Sequence, residues 1–178
     1  MINVFGEEKF RQLVRFGKKI PGYYVSKEGE IYSSFSKKIL KFASDYSKRS
    51  GRLEALKFTA EVDSSIFDDY SYYDRNSKKN SCRITLRAHK AVMDTWKPID
   101  KNPPDQLKDT WNEVPEEWRQ WVRDTAYIDH IDDNPANNHV DNLRWVTPKE
   151  NSHHRKKSNY YEIIENSTTL PRRKVPSN

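Results

Sequence analysis

The stretch that most restricts what this chain can become runs from Tyr127 to Arg155. It holds two short apolar runs: Tyr127-Ile128 with Ile131, and Leu143 with Trp145-Val146. Between them lie Asp133-Asn134-Pro135 and Asn137-Asn138, residues whose side chains favour turns by bonding nearby backbone. Thr147-Pro148-Lys149-Glu150 then opens a helix. The Thr147 hydroxyl can accept from the backbone N–H of Glu150, and the Glu150 carboxylate can reach back to the N–H of Thr147. Pro148 falls at the first helical position, where a missing N–H is no loss. The segment predicts strand, loop, strand, helix, with the helix register set by its cap.

In that register Asn151 is the fourth helical residue. An apolar side chain there would staple onto Val146. Asn151 breaks the pattern inside a segment that otherwise obeys it, and such breaks point to function.

The order Asp129-His130-Ile131-Asp132, Asn137-Asn138, Asn142-Leu143-Arg144-Trp145-Val146-Thr147 and Glu150-Asn151 resembles the HNH endonucleases, the ββα-metal (His-Me finger) nucleases. It is most similar to their phage and intron-encoded homing branch. The likeness covers about thirty residues in order, in the strand and helix context the family uses. It implies an α+β fold with a ββα-metal catalytic core and hydrolysis of DNA phosphodiester bonds to a 5′-phosphate and a 3′-hydroxyl. A lone site of this kind cuts one strand, so the implied activity of a monomer is nicking of double-stranded DNA.

By that resemblance His130 is the general base, since an imidazole takes a proton near physiological pH. Asp129 and Asn151 would hold the metal. Both are oxygen donors and suit a hard ion, Mg²⁺ or Mn²⁺. Asn142 would hold the loop and orient His130 by a hydrogen bond. Neighbours in a strand face opposite ways, so a metal on Asp129 beside His130 calls for a bulge or twist there. Many relatives carry His at the last motif position. Asn151 makes this a His-Asn-Asn variant and disfavours a nitrogen-seeking metal such as Zn²⁺. On the helix, His154, Arg155 and Lys156 are candidate phosphate contacts, against the alternative of a basic helix end favoured by the macrodipole.

The net charge is +6 and suits a polyanion, but residues 1–60 alone carry +7. Lys37, Lys38, Lys41, Lys48, Arg49 and Arg52 are the candidate DNA-backbone contacts in this small basic β-sheet region, with a merely solvated face as the alternative. The run Ile20 to Ser34 reads as a hairpin around Lys27-Glu28-Gly29, and resembles a module that often precedes HNH cores. Phe10, Leu13 and Val14 suggest a short amphipathic helix. Lys38–Phe42 and Ala55–Thr59 read as strands, and Ser44–Arg52 as a polar basic loop.

Residues 61–80, with Asp68-Asp69 among tyrosines, read as a solvated loop. Ser81–Arg87 alternates as a strand, and His89–Trp96 has helical spacing with His89, Val92, Met93 and Trp96 on one face. His89 reads as a packed or capping residue at the helix start. Pro98–Pro104 is a linker, and Leu107–Trp121 predicts two short helices whose tryptophans enter the core. The division is therefore an N-terminal module (1–60), an acidic and polar loop (61–80), a catalytic domain (81–158) and a basic tail (159–178).

One cysteine, Cys82, excludes disulfides and paired-cysteine zinc knuckles. No apolar run nears spanning length and no signal-peptide pattern opens the chain, so the expectation is an intracellular protein, in a bacterial host if phage-encoded, with no membrane partner. Two rival classes stay open: a DNA-binding protein with a decayed site, and an RNA-binding or RNA-processing protein.

Overall fold

The computed structural model describes residues 8–15, 17–63 and 81–153. The architecture is mixed α+β, with two antiparallel sheets, a separate hairpin and short helices. The first sheet runs β1 (Phe10–Arg15), β2 (Lys18–Ser26), β3 (Ile31–Ser33) and β4 (Lys38–Ile39) in chain order. The second joins β5 (Ala43–Tyr46), β6 (Leu53–Asp63) and β7 (Ser81–Arg87). Helix α1 (Ala88–Trp96) follows β7 directly. A 3-10 turn (Asp105–Leu107) and α2 (Glu116–Thr125) lead into β8 (Tyr127–His130), which pairs with β9 (Leu143–Val146). A helical stretch at 148–153, here α3, closes the described chain.

Residues 10–15 form a strand, not the helix their spacing suggests. The β1–β2 register shifts between Gln12 and Val14. The ladder passes there from Gln12↔Tyr24 to Val14↔Lys19 and leaves Leu13 out of the pairing, so the inward positions Phe10 and Leu13 fall three apart and imitate a helical period. The β2–β3 hairpin forms as expected. Of the predicted strand 38–42 only Lys38–Ile39 is paired, whereas the strand at 55–59 extends over Leu53–Asp63. The predicted loop 44–52 is part strand: β5 pairs β6, and Asp45 bonds Lys57 at 2.6 Å across it. The turn proper is closed by Ser47 N–H to Arg52 O at 2.8 Å.

The Ser81–Arg87 strand and the helix after it form as predicted. β6 and β7 pair from Lys57↔Arg87 to Asp63↔Ser81, on either side of the undescribed 64–80. Asp68-Asp69 and their tyrosines lie outside the described residues. One buried cluster takes Leu13, Val25 and Ile31 from the first sheet, Phe58 and Leu86 from the second, Val92 and Met93 from α1, and Leu143 and Trp145 from the hairpin. Helix α1 sits at its centre. Its Thr95 hydroxyl accepts the Val14 N–H at 3.0 Å, and Trp96 Nε1 donates to Val25 O at 3.1 Å.

The 105–125 region differs from expectation. Only α2 is an α-helix, and of its tryptophans Trp118 and Trp121 are 62% and 54% exposed. Trp111 in the preceding turn is the one that enters the core. Among the described residues, no helix is long and apolar enough to cross a membrane.

Candidate active site

The β8–β9 ladder is regular, with Asp129 opposite Arg144 and His130 opposite Leu143. No bulge interrupts it, so of the two devices expected for this strand, a bulge or a twist, the bulge is absent. Residues directly opposite share a face. His130 therefore lies on the side of buried Leu143 and Trp145, toward α1, and Asp129 lies on the other side with Arg144.

The loop between the strands is built on Asn142. Its Nδ2 donates to Asp132 Oδ1 at 2.8 Å and to Asn137 O at 2.9 Å, and its Oδ1 accepts the Asp132 N–H at 3.1 Å. Asn137 Nδ2 completes the ring on Asp132 Oδ2 at 2.7 Å. Hydrogen bonds from Asn137, from the Asn134 backbone and from Asn142 hold the Asp132 carboxyl below its usual range. Asn142 thus ties the loop together, and among the described residues its side chain makes no hydrogen bond to His130.

That bond comes from Asn138, which sequence reasoning passed over as a turn residue. Asn138 is 3% exposed, and its Oδ1 lies 3.2 Å from His130 Nε2. Its Nδ2 donates to Ala136 O at 3.3 Å, which assigns Oδ1 to the imidazole side. A carbonyl oxygen only accepts, so this geometry selects the tautomer of the neutral ring with the proton on Nε2 and the lone pair on Nδ1.

His130 also lines a cavity of about 500 Å³ together with Arg15, Arg87, Lys90, His89 and Glu54. His89 is buried, and its ring stands perpendicular to that of His130 at 5.3 Å between centroids. It is packed and caps nothing: α1 has no side-chain bond at its N-cap, Arg87. Burial, with the charges of His130, Arg87 and Lys90 adding to it, lowers the His89 pKa to about 3. Burial also lowers that of Lys90.

On the opposite face Arg144 Nε and Nη2 donate to Asp129 Oδ2 at 2.9 and 2.8 Å. The capping box at Thr147 forms in full: Thr147 N–H to Glu150 Oε2 at 2.8 Å, and Glu150 N–H to Thr147 Oγ1 at 3.3 Å. Asn151 follows it, half-buried, its side chain making no hydrogen bond among the described residues. Among the described residues no group of three or more His, Cys, Asp or Glu converges to hold a metal. The donor types present, a buried carboxylate bonded to Arg144 through one oxygen and an amide, do fit a hard ion that keeps water and phosphate ligands.

Lys37, Lys38, Lys41, Lys48, Arg49 and Arg52 are all exposed, the first three around β4 and the others in the β5–β6 turn. His154, Arg155 and Lys156 lie outside the described residues, as does the basic tail.

Residues 122–153 match the model of an HNH endonuclease family, well under half of the chain. The region that carries the hairpin is thus homologous to HNH-type nucleases. No curated protein matches the chain. Among solved structures, one describing DNA binding and cleavage by the HNH homing endonuclease I-HmuI is similar at 21% identity and a TM-score of 0.46. The likeness covers 88% of this chain and 66% of that one.

Proposed function

We propose that the chain is a metal-dependent endonuclease that hydrolyses phosphodiester bonds of double-stranded DNA, nicking one strand as a monomer. His130 is the general base, with Asn142 holding its loop, and Asp129 and Asn151 hold Mg²⁺ or Mn²⁺. The observation that carries this reading is the Asn138–His130 bond, because it leaves Nδ1 as the nitrogen able to take a proton. His130 Nδ1 takes the proton of a water whose oxygen forms a bond to phosphorus. The bond from phosphorus to the 3′-oxygen breaks and that oxygen takes a proton from solvent water, giving a 5′-phosphate and a 3′-hydroxyl. A divalent ion, when bound, supplies charge neutralisation at the scissile phosphate and leaving oxygen. Asp129 and His130 face opposite ways in the ladder, but a two-stranded ribbon twists more than a wide sheet, and His130 is its last residue. Both side chains can then meet one phosphate at the ribbon's end.

The exposed cations around β4 and the β5–β6 turn would track the DNA backbone. The test is relaxation of supercoiled plasmid with and without Mg²⁺, comparing wild type with His130→Ala. The variant should bind duplex DNA normally and not nick it. Wild-type binding without Mg²⁺-dependent nicking would indicate a decayed site. Preference for RNA over duplex DNA in competition would overturn the substrate.

A further inference from the structure

We propose that His89 is a positioning residue for His130, acting through its ring. This rests on the reading of His130 as the base. Two features need explaining. His89 is the second residue of α1, where its side chain could cap or reach solvent, yet it is 9% exposed and turned against the hairpin. Its Nδ1 is buried with no hydrogen-bond partner among the described residues, a state that native proteins usually avoid.

The packing supplies the reason. The two imidazoles meet at 88° with centroids 5.3 Å apart. Asn138 ties His130 at one atom, Nε2. A ring tied at one atom can still pivot about that bond, and the cavity of about 500 Å³ beside it offers the room. His89 lines that cavity too, and its ring stands edge to face with the imidazole, where it limits such a swing. Asn138 and His89 together set both the position of Nε2 and the plane of the ring, hence where the Nδ1 lone pair points. With no partner for Nδ1 among the described residues, no hydrogen bond there stabilises a proton on it. Three cationic side chains, Arg15, Arg87 and Lys90, line the same space with one carboxylate, Glu54. His89 therefore presents a neutral ring to its neighbour.

The test compares His89→Ala, His89→Gln and His89→Phe in the full chain, with melting curves to select folded variants. Cleavage of duplex DNA with Mg²⁺ should lose roughly tenfold or more in kcat for Ala and Gln at unchanged KM, since misplacing a catalytic group slows the step without weakening binding. Phe, which keeps a ring, should restore most of the rate. The ring proton signals of His130 should move in Ala and Gln and stay near their wild-type positions in Phe, a reading independent of cleavage. Full kcat in folded His89→Ala or His89→Gln would overturn the proposal. So would equal loss in Phe and Ala, which would assign the effect to nitrogen. If the wild type does not nick DNA, the function reading fails, and unmoved His130 signals alone then refute the packing role.

Discussion

A Cβ placed on Gly29 would lie 2.7 Å from the Cβ of Asn138 and 3.0 Å from its carbonyl oxygen. Gly29 is the turn residue of the β2–β3 hairpin, at φ +89°, and Asn138 is the side chain bonded to His130. Next to this contact the Val140 N–H donates to Lys27 O at 2.7 Å. The turn of the basic N-terminal sheet thus forms a wall of the loop that holds the proposed base.

Gly29→Ala should be worse than its backbone alone predicts. Gly51, at φ +68°, is the internal reference, because an added methyl there would meet nothing within 4 Å. Gly51→Ala should lose about 1–2 kcal/mol, the left-handed strain of an L-residue. Gly29→Ala adds a collision with buried Asn138 and should exceed that, with a fall in nicking that Gly51→Ala does not show. Urea denaturation and plasmid nicking check both; equal effects would mean that the loop yields freely at Asn138.

Arg144→Gln should separate stability from metal binding. The pair with Asp129 joins a carboxylate that is 8% exposed to a half-exposed guanidinium. Removing the cation leaves the carboxylate buried without it, which should reduce stability of the metal-free protein by about 1–3 kcal/mol. If Asp129 is a metal ligand, the same change removes a competing positive charge and Mn²⁺ should bind more tightly. Asp129→Ala should abolish that binding. A calorimetric titration showing weaker Mn²⁺ binding in Arg144→Gln would place the metal elsewhere.

Acid should weaken the fold through His89. Its pKa is lowered by burial to about 3 in the folded protein, against 6.5 for an ordinary histidine. Between those values the unfolded chain takes up a proton that the folded chain refuses. The contribution is complete above about pH 6.5 and falls by about 1.4 kcal/mol for each pH unit below it, until pH 3. His89→Phe should remove this slope while leaving those of the carboxylates. Parallel stability curves for the two proteins from pH 7 to pH 4.5 would show that His89 is charged in the fold.

How much of this was legible followed the distance along the chain over which each feature is decided. The Thr147–Glu150 box, the hairpin at Lys27-Glu28-Gly29 and the Asn142 loop are decided within a dozen residues, and their side-chain chemistry can be read directly. The bond from Asn138 to His130 is equally local, but two adjacent asparagines in a turn offer no signal for which one points inward. The contacts Gly29–Asn138 and His89–His130 join residues far apart in sequence, and no period or cap announces them. Leu13 misled because a register shift changed the strand's period. Trp118 and Trp121 misled because an apolar helix stripe does not reveal whether anything covers it.

Removing the β5–β6 turn cations, with Lys48, Arg49 and Arg52 changed to Ala, should weaken DNA binding and flatten its dependence on salt. Each phosphate that the protein no longer neutralises lowers the slope of log affinity against log salt by about 0.9. The rate at saturating DNA should not change, because exposed cations in the turn between β5 and β6 contribute phosphate attraction rather than groups that reach the reacting atoms. An unaltered slope in a salt titration would make the turn a solvated surface only.

Asn151 offers a test in which folding and chemistry are well separated. Its side chain makes no hydrogen bond among the described residues, while its backbone N–H donates to Thr147 O at 3.0 Å. Asn151→Ala keeps that backbone bond, leaves the capping box intact, and introduces the best helix former, so the fold should hold or gain a few tenths of a kcal/mol. Any loss of nicking then reports on the amide itself. If Asn151 supplies an oxygen to the metal, Asn151→Ala should be nearly inactive, and Asn151→Asp should keep Mg²⁺-dependent activity because an oxygen donor of the same reach remains. Glu150→Ala is the reverse control: it removes the two bonds that the Glu150 carboxylate accepts from Thr147, leaves the Glu150 N–H on Thr147 Oγ1, and should cost about 1 kcal/mol of stability with a smaller effect on rate. Wild-type nicking by Asn151→Ala would remove the helix from the metal site, and with it the assignment of the last motif residue.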